Sequence, residues 1–403
     1  MNRYPLRMVR TVSIALLGGI MMTSVCRADW EPTKVLQMDG ESVAAELPAQ
    51  RQIVTETWNR VVAVPYIAYL PEKDRICMLV SCDYPHQPMV LFSDDHGATW
   101  GEPRPVSSDP TVNASAGLGT ALTYLGGRRL MSVAGGRWFS EDYGDTWEGP
   151  FPIAPASNGQ SWYAWDPILV DPDPTTGEGK HLIEAGYNWE GGGHGSPTGY
   201  QQAFIRFSND GGRTWSEDTR VPQWHGVSEV ALLRVKNGDI VAACRTDMAR
   251  QYLGNIDHYE GLGICRSKDD GKTWSQVDRL YDYGRHHPCL VLLPNDNILM
   301  TYVVRLGYPR DAEGFPQFGI EAVLSRDHGA SWDLPHRFVL AKWSGNRTGA
   351  NEWWPSSQAT STVLLPDGYL LTAFGTGYRS QPNAQGQSVP RDVGLVRWRP
   401  DPE

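Results

Sequence analysis

The chain has no run of lysine or arginine longer than two, no CxxC or HExxH spacing, and no apolar stretch of the roughly 20 residues that a membrane span needs. Each absence excludes something. With a formal net charge of −10 and no basic cluster, a nucleic-acid partner lacks the cationic surface that phosphates require. The histidines show no metal-ligand spacing, so no metal or other cofactor is expected. Cysteine is scarce: six in 403 residues. One of them, Cys26, falls in a leader, and the odd remainder (Cys77, Cys82, Cys244, Cys265, Cys289) fits neither a disulfide framework nor a zinc site. These read as small buried hydrophobes with at most one or two bridges.

The N-terminus, "MNRYPLRMVRTVSIALLGGIMMTSVCRADW", sets three arginines before an apolar stretch, Thr11 to Val25, and a small-residue site near Ala28. That layout predicts a secretory signal peptide over 1–28 and a secreted or periplasmic protein with no membrane span after its removal. A lipoprotein site is not expected at "TSVC", because Val25 is bulky just before the cysteine. An N-terminal segment, 29–59, then precedes the main domain, 60–403.

Glycine, proline and tryptophan are plentiful, at 42, 29 and 16 residues, which suits many turns and large packing side chains in an all-β fold. An eight-residue phrase recurs five times: "SDDHGATW" from Ser93, "SEDYGDTW" from Ser140, "SNDGGRTW" from Ser208, "SKDDGKTW" from Ser267 and "SRDHGASW" from Ser325. Ser and Asp side chains can bond the backbone of a tight turn, Gly takes a positive φ, and Trp buries itself beside its neighbours. The phrase is therefore a hairpin lock, and its aspartates are structural. A second repeat precedes each lock. Six copies of an apolar alternating run, a Gly/Asp/Asn turn and another apolar run lie at 66–83, 121–136, 168–188, 229–245, 289–305 and 362–377. Such a pattern predicts β-hairpins. Six units of about four strands in a ring predict a six-bladed β-propeller, which shields its sheet edges by radial repetition.

The recurring phrase resembles the Asp-box, or BNR repeat, of the sialidase (neuraminidase) superfamily, and the resemblance spans essentially the mature chain. It implies a six-bladed propeller of sialidase type with a pocket on the axis, away from the Asp boxes.

Register locates candidate pocket residues. Aligning the hairpins on Ile76, Leu130, Leu182, Ile240, Ile298 and Leu370 puts Glu229 and His287 at the same axial position of adjacent units, with Ala359 there in the last. At the far end of the second strands stand Asp83, Arg245 and Arg305, at odd offsets that share one strand face. The third unit offers Tyr187 and Trp189, and its "SWYAWDPILV" segment brings Trp162, Trp165 and Asp166 to the rim. Indole faces beside carboxylates suit a sugar.

"SEVALLRVKNGDIVAACR" is similar to the sialidase stretch that carries a Glu working with a Tyr nucleophile and one of three substrate-binding arginines. The resemblance maps these to Glu229 and Arg245. The first arginine position holds Ala63, before Pro65, the Tyr position holds Ala359, and Gln317 lies near the third arginine position. Asp83 is the best match to the acid/base Asp of the first unit.

The leading expectation is an exported, exo-acting glycoside hydrolase, cleaving a terminal sugar that is sialic acid or another glycan unit, acidic ones included. Glu229 would be base or nucleophile partner and Asp83 or Asp166 general acid; Arg245, Arg305, His287, Tyr187 and Trp162 would hold the sugar. Two alternatives stand beside it. One is a lyase on uronic-acid polysaccharide using His287, Tyr187 and Arg245; the other is a non-catalytic carbohydrate-binding propeller.

Overall fold

The computed structural model describes residues 29–58, 60–83, 85–192, 198–247, 259–345, 348–349, 352–353, 355–376 and 391–400. The proposed leader, 1–28, lies outside them. Among the described residues the regular structure is β-strand, apart from one seven-residue helix at Pro110–Ala116 and a 3-10 turn at Leu334–His336. Among the described residues no helix is long and apolar enough to cross a membrane.

All six predicted hairpins form as antiparallel pairs. Their inner strands are Val62–Leu70, Gly119–Gly126, Leu169–Pro172, Val227–Arg234, Arg285–Leu292 and Thr360–Leu364. Each pairs with the strand that follows it. The six pack side by side in a closed, propeller-like ring, the first against both the second and the last. They surround an axial cavity of about 510 Å³ to which every one contributes, as with Ile67, Leu122, Val170, Leu233, Leu290 and Val363.

The sheet count differs from the expected six. Four sheets have four or five strands, and the fifth has nine. The cause is the segment 29–59, which the sequence left unplaced. Its hairpin, Glu31–Asp39 with Ser42–Ile53, pairs on one side with Phe338–Ser344 and on the other with Asp392–Trp398. Two strand groups are thereby joined into one sheet.

Each of the five repeated phrases follows a third strand and makes the same lock. Ser Oγ donates to the Asp Oδ1 two residues on and accepts from the Gly N–H four residues on; in the second phrase both distances, Ser140 to Asp142 and Gly144 to Ser140, are 2.8 Å. The Asp then takes the N–H and hydroxyl of the following Thr or Ser, at 2.8 and 2.6 Å for Thr146 on Asp142. The other four repeat this within a few tenths of an ångström. Two successive residues take positive φ in every turn, such as Tyr143 and Gly144. Burial raises the Asp142 carboxyl, but the Thr146 and Ser140 bonds outweigh it and hold it below the usual range. That contribution is full above the ordinary aspartate pKa and fades as pH falls through the lowered value. Asp142→Ala is expected to cost about 1 kcal/mol after allowance for solvent screening, read by denaturant unfolding at pH 7, with the deficit shrinking in acid.

The core is apolar between neighbouring strand groups, with Trp100, Trp138, Trp224 and Trp398 among its largest fully buried side chains. Cys77, Cys82, Cys244 and Cys265 are buried and Cys289 half-buried, all as free thiols. Burial pushes the Cys82 thiol up to about 12.

Candidate active site

The inner strands do not run straight into the axis. Register breaks between Ala63 and Tyr66, between Val227 and Val230, and between His286 and Cys289 mark β-bulges at their axial ends. Such extra residues re-aim side chains. At three axial positions a residue before proline takes a left-handed conformation: Val64 (φ 54°), Asp166 (φ 70°) and His287 (φ 53°), ahead of Pro65, Pro167 and Pro288. Pre-proline residues favour extended backbone, and a β-branched residue at positive φ is strained. Strain of this kind persists only where surrounding structure imposes it, often at functional sites.

The rungs Arg234–Ile240, Leu292–Ile298 and Leu364–Leu370 are equivalent, so Glu229, His287 and Ala359 do stand at matching positions. There the side chains meet. Both Glu229 oxygens accept from Arg245 Nη1, at 2.9 and 3.0 Å. Arg245 Nε donates to Glu260. His287 Nε2 lies 3.2 Å from Arg245 Nη1 and 3.4 Å from Arg305 Nη2. A guanidinium can only donate, so Nε2 is the acceptor and the ring proton sits on Nδ1. Nδ1 is 3.0 Å from Glu229 Oε2 but off the line a hydrogen bond needs. Arg305 Nε donates to the Ser357 carbonyl at 3.1 Å. Tyr66 donates to Asp166 Oδ1 at 3.0 Å. None of Tyr66, Asp166, Glu229, Arg245, His287 and Arg305 exceeds 7% exposure.

Burial sets the electrostatics. It pushes the Asp166 carboxyl well above the usual range, and the charge of Glu229 adds to the effect; the Tyr66 bond and Arg245 oppose it. Burial, with Arg245 and Arg305 beside it, holds His287 well below its ordinary pKa, so the ring is neutral. Tyr187 is raised by burial and then by Glu229, which places its hydroxyl in the same field. Asp166 Oδ2 is buried without a hydrogen-bond partner, at the inner end of the axial cavity. Glu229, Arg245, His287 and Arg305 do not line that cavity, which is mainly apolar.

Because folded Asp166 holds its proton more tightly than the unfolded chain does, stability falls as pH rises from the ordinary aspartate range to the raised folded value. Asp166→Asn removes that dependence and keeps an acceptor for Tyr66. The variant is expected to melt no lower than the parent at pH 7 and with a flatter pH profile; a lower melting point with an unchanged profile would mean that Asp166 is ionised.

Two predicted residues lie apart. Trp162 is buried among Ala121, Val133, Ala156, Ala164 and Phe204, with the Arg206 guanidinium 4.0 Å from its ring centroid. Its face is occupied, so it does not stand ready for a sugar. Trp165 is the indole near the cluster, 6.4 Å from the His287 ring. Asp83 (φ 61°) is half-buried and tied to Arg60 by bonds of 3.0 and 2.8 Å. Sequence reasoning missed Tyr66 and Glu260. The recurring x-Pro step at 64–65, 166–167 and 287–288 is the signal that would have marked the neighbourhood of Tyr66; Glu260 has no comparable mark.

No family model matches the chain, and no curated protein does. Solved structures do. A protein of unknown function from Dyadobacter fermentans DSM 18053 is similar over 91% of this chain and 98% of its own, with a TM-score of 0.60 and 15% identity. A Trypanosoma rangeli sialidase is similar with a TM-score of 0.53 and 13% identity. That match covers 91% of this chain but only 59% of the sialidase. The NanB sialidase of Streptococcus pneumoniae gives 0.53 and 11%, over 86% of this chain and 69% of its own. At these identities the likeness defines the fold: an all-β, sialidase-like, propeller-like architecture.

Proposed function

We propose that the protein is an exported, exo-acting glycoside hydrolase of sialidase-like fold, with Asp166 as general acid and Glu229 as general base. The nine-stranded sheet is then two blades sharing the N-terminal hairpin, giving six in all, and the five locks are Asp boxes. One observation carries the reading. Two neighbouring carboxyl groups sit in different environments: Asp166 is buried with Oδ2 unpaired and is pushed well above the usual range, whereas both Glu229 oxygens are bound by Arg245. Paired groups of this kind mark an acid and a base. In glycoside hydrolysis Asp166 would protonate the leaving oxygen and Glu229 would take the proton of the attacking water. Arg245, Arg305, His287 and Tyr187 would position the terminal sugar of a glycan.

Asp83, tied to Arg60 through Oδ2, is given no part in this scheme. The lyase reading is disfavoured because the His287 lone pair already faces two guanidinium groups. The sialidases named above support the carbohydrate assignment by fold alone.

A panel of aryl glycosides and uronate polysaccharides tests it. Sugar release from one substrate, lost in Glu229→Gln, supports the hydrolase. An ultraviolet-absorbing unsaturated product would replace it with a lyase, and glycan binding without any product would replace it with a binding protein.

A further inference from the structure

We propose that the axial site takes an uncharged terminal sugar and discriminates against sugars that carry a carboxylate. The inference rests on the glycosidase reading for its site and goes further in naming the substrate's charge class. It follows from the charges around the cluster. Among the described residues, the cluster holds two cations, Arg245 and Arg305, beside the carboxyl groups of Glu229 and Glu260. Asp166 and Asp247 add further carboxyl groups nearby; Asp247 accepts from the Gln201 N–H at 3.2 Å. The cations therefore do not outnumber the acids.

Engagement matters as much as number. Arg245 donates to Glu229 and Glu260 and approaches His287 with the same guanidinium, and Arg305 donates to the Ser357 carbonyl and also faces His287. A substrate carboxylate that took Arg245 would have to displace its buried pair with Glu229 or Glu260, and breaking such a pair leaves a charge uncompensated. It would also approach Glu229, a like charge in a low-dielectric setting. The remaining groups at the centre suit hydroxyls: neutral His287, Tyr66, Tyr187 and protonated Asp166. Ala63 and Ala359, both buried, and Gln317, with Oε1 unpaired, add no cation.

The test is binding of methyl glycosides at pH 7, followed by saturation-transfer NMR and calorimetry, with turnover assayed in parallel. The neutral set is glucose, galactose, mannose, fucose and N-acetylglucosamine; the acidic set is sialic, glucuronic and galacturonic acid. At least one neutral glycoside should bind tenfold or more tighter than every acidic one. In Glu229→Gln, which removes one negative charge, the gap should narrow. An acidic glycoside binding tightest, or a gap that does not move in the variant, overturns the proposal. Turnover separates the two readings. Neutral sugars bound but never cleaved remove the hydrolase and keep the selectivity; an acidic substrate cleaved keeps the hydrolase and removes the selectivity; no glycoside bound removes both.

Discussion

Glu229→Gln should lower turnover by at least about a hundredfold, and up to ten-thousandfold, the range that general acid–base catalysis supplies, while the protein stays folded. Gln keeps the size of Glu and an oxygen for Arg245 Nη1, and Arg245 retains Glu260, so its charge is still answered. The variant cannot take a proton from water at neutral pH. Circular dichroism and a thermal melt should show the parent fold, and the Michaelis constant should change less than kcat. Loss of turnover with loss of the melt would reduce Glu229 to a structural role. Turnover within a few-fold of the parent would remove it from the chemistry.

The largest expected stability effect lies away from the axis. Glu184, 1% exposed, accepts from Arg137 Nη2 at 2.7 Å and from Arg206 Nε at 2.6 Å. Arg137 and Arg206 also lie over the Trp215 ring, at 4.6 and 5.2 Å. Glu184→Ala leaves two buried guanidinium groups without their anion and should cost about 3–5 kcal/mol, measured by denaturant unfolding. The pH dependence has a definite sign. Burial alone would raise the Glu184 carboxyl, but Arg137 and Arg206 together hold it below the usual range. Its stabilisation is therefore complete above the ordinary glutamate pKa and lost as pH falls through the lowered one. Parent and variant should converge in acid, and turnover per folded molecule should be equal in both.

What could be read from sequence was local. Hairpins and locks depend on residues a few positions apart, so all six hairpins and five turns sit where their patterns placed them. The meeting of Glu229 with His287 was also legible, because equal offsets from equal turns put them on adjacent strands. Trp162 was misplaced for a geometric reason. It lies three residues before Trp165 with the strand Tyr163–Ala164 between them, and an odd offset along extended backbone puts the two on opposite faces, so one indole packs under Arg206 while the other reaches His287. The fusion of two strand groups into one sheet was invisible, since it depends on pairing between residues more than 300 positions apart, such as Gln50 with Arg397. Glu260 was missed likewise, for it meets Arg245 across a sheet and not along a pattern.

The N-terminal hairpin also bears on how the protein comes to be folded. Its strand Ser42–Ile53 stays without one neighbour until Asp392–Trp398 has been synthesised, and the Thr55 hydroxyl waits for the Asp392 carboxylate, 2.8 Å away in the finished ring. Contacts of such sequence separation give a high contact order, and chains of that kind fold slowly because long loops must close before the contact is gained. Ring closure is thus a late step that depends on the last strand, and a chain truncated before Asp392 should persist as an open, aggregation-prone array.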